Sequence, residues 1–314
     1  MSTGDDYSLF VVPGTGDANQ TFASSLSDKL GLPVTDHGRT VFKSGEMIVS
    51  LPAEVSETAV IVLAPSFRPS DAILELLLLA DALRRHGVRS LTCVLQYVPY
   101  SRSNRLNRPG LPLGSKVVIS MLEQSPIDRF VVFDLHARET LGYFSKPVTW
   151  IPTLQLMSDA IPLHAPEVVV SPDRGRYDDC MQISTMRSCT LDMLMKVRRD
   201  DSGSSELVAG ARTDLNGRSV LLFDDEIWSG VTAAHATESL FAAGAARIDY
   251  LTVYDFTTPD IRKNMLENLG ISSFTTTNLA HHGNDPFDGR YRILDAADLV
   301  VRAWPRITGG SARR

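Results

Sequence analysis

Two adjacent carboxylates, Asp224 and Asp225, stand just ahead of a Ser229-Gly230-Val231-Thr232 run, and groups so spaced can hold a phosphorylated sugar. Paired carboxylates accept hydrogen bonds from vicinal ribose hydroxyls, directly or through Mg²⁺. Hydroxyls at Ser229 and Thr232, with free N–H groups at a helix start, can hold a phosphate. The plain alternative is an acidic strand end followed by a helix cap. An isolated Asp-Asp would favour it; an apolar run, the acid pair and Ser-Gly-x-Thr in one register favour the site. Further along, Asp134 and His136 follow one apolar run, and Asp173 follows another. A lone histidine there is ordinarily solvated or satisfied in a core, and Asp173 could merely cap the helix after Pro172. Lys196 and Arg198 lie beside Arg199, Asp200 and Asp201, so a solvated charge run is their default reading. The Ser202-Gly-Ser-Ser205 stretch that follows serves equally as a closing lid or a linker.

The elements that must position these groups are legible as alternating apolar strands and helical patterns, which argues for an α/β fold with largely parallel sheets. The clearest strands are Leu9–Val12, Val60–Ala64, Leu91–Val94, Phe130–Phe133, Val168–Ser171, Val220–Phe223 and Ile248–Val253. On this reading Asp134, Asp173 and the Asp224–Asp225 pair fall at strand ends, where such folds bind ligands. An internal repeat runs helix, glycine, strand: Ala82 through Gly87 to Leu91, and Ser239 through Gly244 to Ile248. Each glycine fits a helix stop. Two doubly wound domains over residues 7–153 and 154–293 account for the repeat. A last helix is expected over about 294–306, and a disordered tail from Thr308.

A chain of 314 residues accommodates two domains of ordinary size, and 43% hydrophobic residues supports substantial cores. A net charge of −6 argues against a nucleic-acid surface. The apolar stretch Ile73–Ala80 is broken by Glu75, so no membrane span is expected. Cys93, Cys180 and Cys189 have no metal-binding spacing and fit a reduced cytoplasm, the expected location.

Residues 220–232 resemble the phosphoribosyl-pyrophosphate (PRPP) binding motif shared by type I phosphoribosyltransferases and PRPP synthetases. Phe133-Asp134-Leu135-His136-Ala137 with Gly142-Tyr143-Phe144 resembles the Asp-Leu-His-Ala…Gly-Phe-Phe signature of the synthetases. Ser171-Pro172-Asp173-Arg174-Gly175 resembles Ser-Pro-Asp-x-Gly, Lys196-Val197-Arg198 the Lys-x-Arg of a mobile catalytic loop, and Tyr97 to Arg102 the Tyr-x-x-Tyr-x-Arg that leads into an ATP loop. Their order and rough spacing agree over nearly the whole chain, which is identified as a divergent member of the ribose-phosphate pyrophosphokinase (PRPP synthetase) family. The resemblance implies two tandem type I phosphoribosyltransferase-like doubly wound domains, the last helix returning to the first. It implies pyrophosphoryl transfer from ATP, or another nucleoside triphosphate, to ribose 5-phosphate. In that scheme Lys196 and Arg198 are catalytic, and Asp224, Asp225, Ser229, Gly230, Val231 and Thr232 bind ribose 5-phosphate. His136, Asp173 and Asp134 hold Mg²⁺. Phe42, Ser44, Gly45, Glu46, Arg102, Ser103 and Asn104 bind the nucleotide, the first four reaching a neighbouring subunit's site in a homo-oligomer.

Departures from the family pattern cluster. Val231 stands where glycine is usual, and a β-branched side chain resists the backbone angles expected of a phosphate loop. Trp228 takes a position that is Asp in many synthetases. Ser103-Asn104 replaces Gln-Asp, and Ser44 replaces the Asp of a Phe-Ser-Asp-Gly-Glu loop. The sugar-phosphate and transfer groups are retained while the nucleotide-base site differs. A weakly active or inactive regulatory homologue and a phosphoribosyltransferase are the alternatives.

Overall fold

The computed structural model describes residues 7–13, 18–161, 166–198, 205–209, 213–280 and 289–308, with the backbone alone for 18–20, 195–198 and 205–209. The chain begins with β1 (Tyr7–Val12), α1 (Ala18–Leu30), β2 (Gly38–Val41), β3 (Met47–Ser50), β4 (Thr58–Leu63), α2 (Pro69–Arg85) and β5 (Ser90–Leu95). There follow α3 (Gly114–Gln124), β6 (Arg129–Val132), β7 (Val148–Trp150), α4 (Leu154–Asp159), β8 (Val168–Ser171) and α5 (Tyr177–Arg187). Next come β9 (Thr190–Met193), β10 (Met195–Arg198), β11 (Ser205–Ala209), β12 (Ser219–Ile227), α6 (Val231–Ala242) and β13 (Arg247–Asp255). The last elements are α7 (Pro259–Lys263), β14 (Ser273–Thr277), β15 (Tyr291–Leu294) and α8 (Ala297–Ile307).

The chain divides into two compact units, one of Met1–Pro152 with Asp295–Arg314, the other of Thr153–Leu294. The first holds a five-stranded sheet in the order β1-β4-β5-β6-β7, the second a six-stranded sheet in the order β15-β14-β13-β12-β8-β9. Every pairing in both is parallel. Two antiparallel ribbons, β2 with β3 and β10 with β11, form separate two-stranded sheets. The apolar runs of β4, β5, β8 and β12 are buried almost throughout because helices cover parallel sheets on both faces. Leu76, Leu79 and Leu83 of α2 pack with Ile61 and Cys93 in the first core; Ala236 and Leu240 of α6 pack with Leu222 and Tyr250 in the second.

The repeat seen in the sequence is a repeated helix stop. Gly87, at φ 104°, donates its N–H to Arg84 O at 3.2 Å, and Val88 donates to Leu83 O at 3.1 Å. Gly244, at φ 94°, donates to Phe241 O at 2.9 Å, and Ala245 donates to Leu240 O at 3.1 Å. This pair of hydrogen bonds closes each helix and needs a left-handed residue, which glycine supplies without a Cβ penalty. A strand, β5 or β13, starts shortly after each stop.

Most strand ends shift by one or two residues from the sequence reading, and three boundaries bear on the site and the last helix. The strand read as Val220–Phe223 runs on to Ile227, because β13 continues to pair with it as far as Ile227↔Asp255. Its helix starts at Val231 rather than Ala233. The last helix starts at Ala297: Leu294 is still paired with Thr277, and the Asp295 carboxylate accepts the Ala297 N–H at 3.0 Å, an Asx turn just ahead of the helix. Strand β14 escaped the reading because its Thr275, Thr276 and Thr277 look polar, yet all three are buried, with the Thr277 hydroxyl donating to Val253 O. The Ser202–Ser204 part of the lid-or-linker stretch, and the tail beyond Thr308, lie outside the described residues.

Candidate active site

The second unit builds its site where one strand outruns its neighbour. Pairing of β12 with β8 stops at Leu222↔Val170, while pairing with β13 continues. Asp224 and Asp225 therefore sit inside a strand, with one flank open beyond the end of β8. The turn after β8 fills that flank with Asp173 and Arg176. The Asp173 carboxylate accepts the Gly175 N–H at 2.8 Å, so it does cap the 3₁₀ turn Arg174–Arg176, and it also faces Asp224 closely enough to affect its titration. Arg176, itself buried, places Nη1 3.4 Å from a carboxylate oxygen of Asp225 and 3.4 Å from one of Asp179.

Charge dominates this cluster. Burial works against a charged Arg176, yet the carboxylates of Asp225, Asp179, Asp224 and Asp173 outweigh it and raise its hold on the proton. Asp224 moves the other way, well above the ordinary carboxylate range. Burial is the main cause, then repulsion from and hydrogen bonding to Asp225, then Asp173, with Arg176 opposing. Among the described residues, the carboxyl oxygens gathered about the Arg176 guanidinium are hard donors of the kind that suits Mg²⁺.

Beyond Ile227 the chain turns through Trp228 and Ser229 into α6. Trp228 stacks on Phe256, centroids 3.9 Å apart and planes at 15°. The left-handed position is Gly230, at φ 73°, while Val231 is the first residue of α6 and lies outside the positive-φ set. The strain expected at Val231 does not arise, because the turn asks for unusual angles one residue earlier. Val231 points outward, 56% exposed, and Ser229 and Thr232 are exposed as well. A Cβ on Gly230 would lie 2.9 Å from Ile261 Cγ2. Gly230→Ala is therefore expected to destabilise by about 1–2 kcal/mol from backbone strain alone, and to raise the KM for the sugar phosphate. Calorimetry and steady-state kinetics check both. Val231→Gly, which restores the usual family residue, is expected to leave that KM unchanged; a clear drop would show that Val231 does strain the loop.

In the first unit the carboxyl ends of β4, β5 and β6 share one edge because the strands are parallel. Asp134 and His136 follow β6 there, both partly buried, and Thr140 closes the next turn with a bond to Ala137 O. After β5, Tyr100 holds a left-handed φ of 61° and its hydroxyl pairs with Ser70 Oγ at 2.9 Å. Arg102 is exposed. Ser103 is engaged on every side: its N–H donates to Tyr100 O, its hydroxyl accepts the Gly114 N–H, and its carbonyl accepts the Ser115 N–H. A Cβ on Gly114 would approach Ser103 Oγ to 2.8 Å, so this staple requires glycine at 114. Asn104 O accepts from the Tyr143 hydroxyl at 3.4 Å.

Phe42, Ser44, Gly45 and Glu46 form the tip of the β2–β3 ribbon. Gly45 has φ 87° and donates to Phe42 O, and the Ser44 hydroxyl donates to the Glu46 carboxylate at 2.8 Å. Buried Glu75 of α2 roots this ribbon, bonding His37 Nε2 at 3.0 Å and Arg39 Nε at 2.9 Å.

Lys196 and Arg198 belong to β10, in register with Leu207 and Ser205 of β11, and so lie on an antiparallel ribbon rather than in a loop. The structure thus gathers Asp173, Asp224 and Asp225 with the Ser229–Thr232 turn in the second unit, and carries Asp134, His136 and the nucleotide candidates on the first. Sequence reading missed Arg176 and Arg262. The doubled arginine of Arg174-Gly-Arg176 was a usable signal for the first; nothing local marked the second.

Parallel sheets with an acid pair ahead of a phosphate-type turn define a phosphoribosyltransferase-type α/β protein. Residues 12–125 match the N-terminal domain of ribose phosphate pyrophosphokinase. A ribose-phosphate pyrophosphokinase of Rhizobium meliloti is 34% identical over 249 residues, 76% of this chain and 77% of that one. Another, of Aquifex aeolicus, is 27% identical over 308 residues, 96% of each chain. The crystal structure of phosphoribosylpyrophosphate synthetase from Mycobacterium smegmatis shares the fold, with TM-score 0.84 at 23% identity over 98% of this chain and 100% of that one. The chain belongs to the ribose-phosphate pyrophosphokinase family of transferases.

Proposed function

We propose that the chain transfers the β,γ-pyrophosphoryl group of a nucleoside triphosphate to the anomeric hydroxyl of ribose 5-phosphate. The observation that carries this is the Asp224–Asp225 pair on the open flank of β12, directly ahead of the Gly230 turn, in a chain of this family. The anomeric oxygen attacks the β-phosphorus and releases its proton to solvent. The bond from that phosphorus to the α–β bridging oxygen breaks, giving PRPP and a nucleoside monophosphate. Asp224 and Asp225 accept the ribose hydroxyls, and Ser229, Gly230, Val231 and Thr232 receive the 5-phosphate at the start of α6. Lys196 and Arg198 neutralise the charge that moves onto the leaving phosphate, with Arg102 on the polyphosphate. On the first unit Asp134 and His136, and on the second Asp173, are the proposed Mg²⁺ ligands; bound Mg²⁺ would offset polyphosphate charge.

The base end of the nucleotide is read differently from the family pattern. Ser103 and Ser44 stand where an amide and a carboxylate are usual, and both spend their hydroxyls on bonds within their own unit. A base that relied on those groups loses its partners, a loss of specificity rather than of chemistry. The donor is then a nucleoside triphosphate other than ATP, or ATP bound weakly. At the ribbon tip, Val41, Phe42 and Ile48 are 49%, 48% and 51% exposed, which supports a neighbouring subunit covering them in a homo-oligomer. Among the described residues no helix is long and apolar enough to cross a membrane.

³¹P NMR of the protein with Mg²⁺, ribose 5-phosphate and each common nucleoside triphosphate in turn tests the proposal. A PRPP signal with release of the monophosphate is expected, strongest with the preferred donor. Low-micromolar KM and full turnover with ATP would refute the altered base site. No turnover with any donor, from folded protein, would favour the regulatory homologue instead.

A further inference from the structure

We propose that Arg262 is a positioning residue for the sugar-phosphate turn, acting through a buried cluster that locks the segment Asp255–Arg262 beneath it. The inference rests on the reading of Trp228–Thr232 as that turn.

Asp255 ends β13 opposite Ile227, the last residue of β12 before the turn. Asp255 and Arg262 are both fully buried, with Nη1 3.2 Å from the carboxylate. Each carboxylate oxygen is occupied. One accepts the Thr257 N–H at 2.8 Å and the Thr257 hydroxyl at 2.5 Å; the other accepts the Tyr291 hydroxyl at 2.6 Å and Arg262. Arg262 also donates to Thr257 O at 2.7 Å, and its guanidinium lies over the Tyr291 ring, 5.4 Å from the centroid. A buried pair of this kind adds little net stability compared with apolar packing. Its consequence is a single geometry for the residues between its two ends.

Those residues are the ones the turn touches. Phe256, next to Asp255, carries the stacked Trp228 ring. Ile261, next to Arg262, comes within 2.9 Å of where a Gly230 Cβ would stand, and Met265 Sδ within 3.9 Å. The cluster therefore ties down both supports of the turn at once. Interiors yield little, so a small shift of α7 would move Ile261 against Gly230 and tilt the first turn of α6, and with it the N–H groups that face the phosphate.

The test uses the full chain with Ile261→Ala, Tyr291→Phe, Arg262→Lys and Arg262→Met, read by kinetics and by amide hydrogen exchange. Ile261→Ala and Tyr291→Phe are expected to raise the KM for ribose 5-phosphate by about tenfold, with kcat and the nucleotide KM within about twofold of wild type. Exchange at residues 228–233 should quicken while β8 stays protected. Arg262→Lys should recover more of the affinity than Arg262→Met. Unchanged KM and unchanged exchange in folded Ile261→Ala and Tyr291→Phe would overturn the inference, as would equal decline of every parameter together with global stability. Wild-type protein that fails to bind ribose 5-phosphate would overturn the sugar-phosphate reading alone. The exchange pattern at 228–233 would still decide whether the cluster positions the turn.

Discussion

Replacing Lys196 with alanine is expected to lower kcat by about 10²–10³, the equivalent of about 3–4 kcal/mol of transition-state stabilisation, with both substrate KM values nearly unchanged. A cation placed at the bridging oxygen would have this selectivity because charge there is small in bound nucleotide and large as the bond breaks. Binding therefore gains little from it and the transition state gains much. Lys196 lies on β10, two residues from Arg198 in the same ribbon. Arg198→Ala should show the same pattern, and the double variant should cost less than the sum of the two if they act on one phosphoryl group. Rapid-quench kinetics with saturating substrates separate the chemical step from release. Near-normal turnover in Lys196→Ala would remove it from the catalytic role.

Replacing Arg176 with methionine is expected to have the largest effect on stability, about 3–5 kcal/mol at neutral pH, because it takes a buried cation from beside the buried Asp225 carboxylate. Asp225 and Asp179 each lose a partner at 3.4 Å, and Asp224 loses a neighbour that lowers it. The pH dependence has a definite sign. A carboxyl raised in the folded protein keeps its proton where the unfolded chain has released it. Its contribution favours folding below the ordinary carboxylate range and is lost as pH climbs through the raised value. Without Arg176, Asp224 rises further, so the deficit should be greatest at the higher pH and shrink as pH falls back through the raised value. Added Mg²⁺ should recover part of it by supplying positive charge to the same oxygens. Thermal melts across pH, with and without Mg²⁺, check all three; a deficit independent of pH would show that Arg176 matters for packing alone.

Much of the candidate site is legible in the sequence because its parts are local. The acid pair, the Ser-Gly-x-Thr run and the helix beyond lie within a few residues of one another, and a strand followed by a turn and a helix forces them together. The Schellman stops at Gly87 and Gly244 were readable for the same reason: each depends on a handful of neighbours and one residue free of a Cβ. The error at Val231 was a one-residue error in where the left-handed angle falls. Either residue of a Gly-Val pair can be aligned with the family's Gly-Gly, and only the backbone shows that Gly230 carries it.

The sequence by itself determined the α/β class, the parallel strands, the repeat and the candidate chemistry, since these follow from apolar periodicity, helix stops and short-range motifs. Tertiary structure alone decided that β12 outruns β8, so that Asp224 and Asp225 meet Asp173 and Arg176 on an open flank. It alone joined Asp255, Arg262 and Tyr291 beneath the turn. Strand length depends on the neighbour that pairs with it, and a buried ion pair depends on residues far apart in the chain. Neither relation leaves a local pattern for a sequence to display.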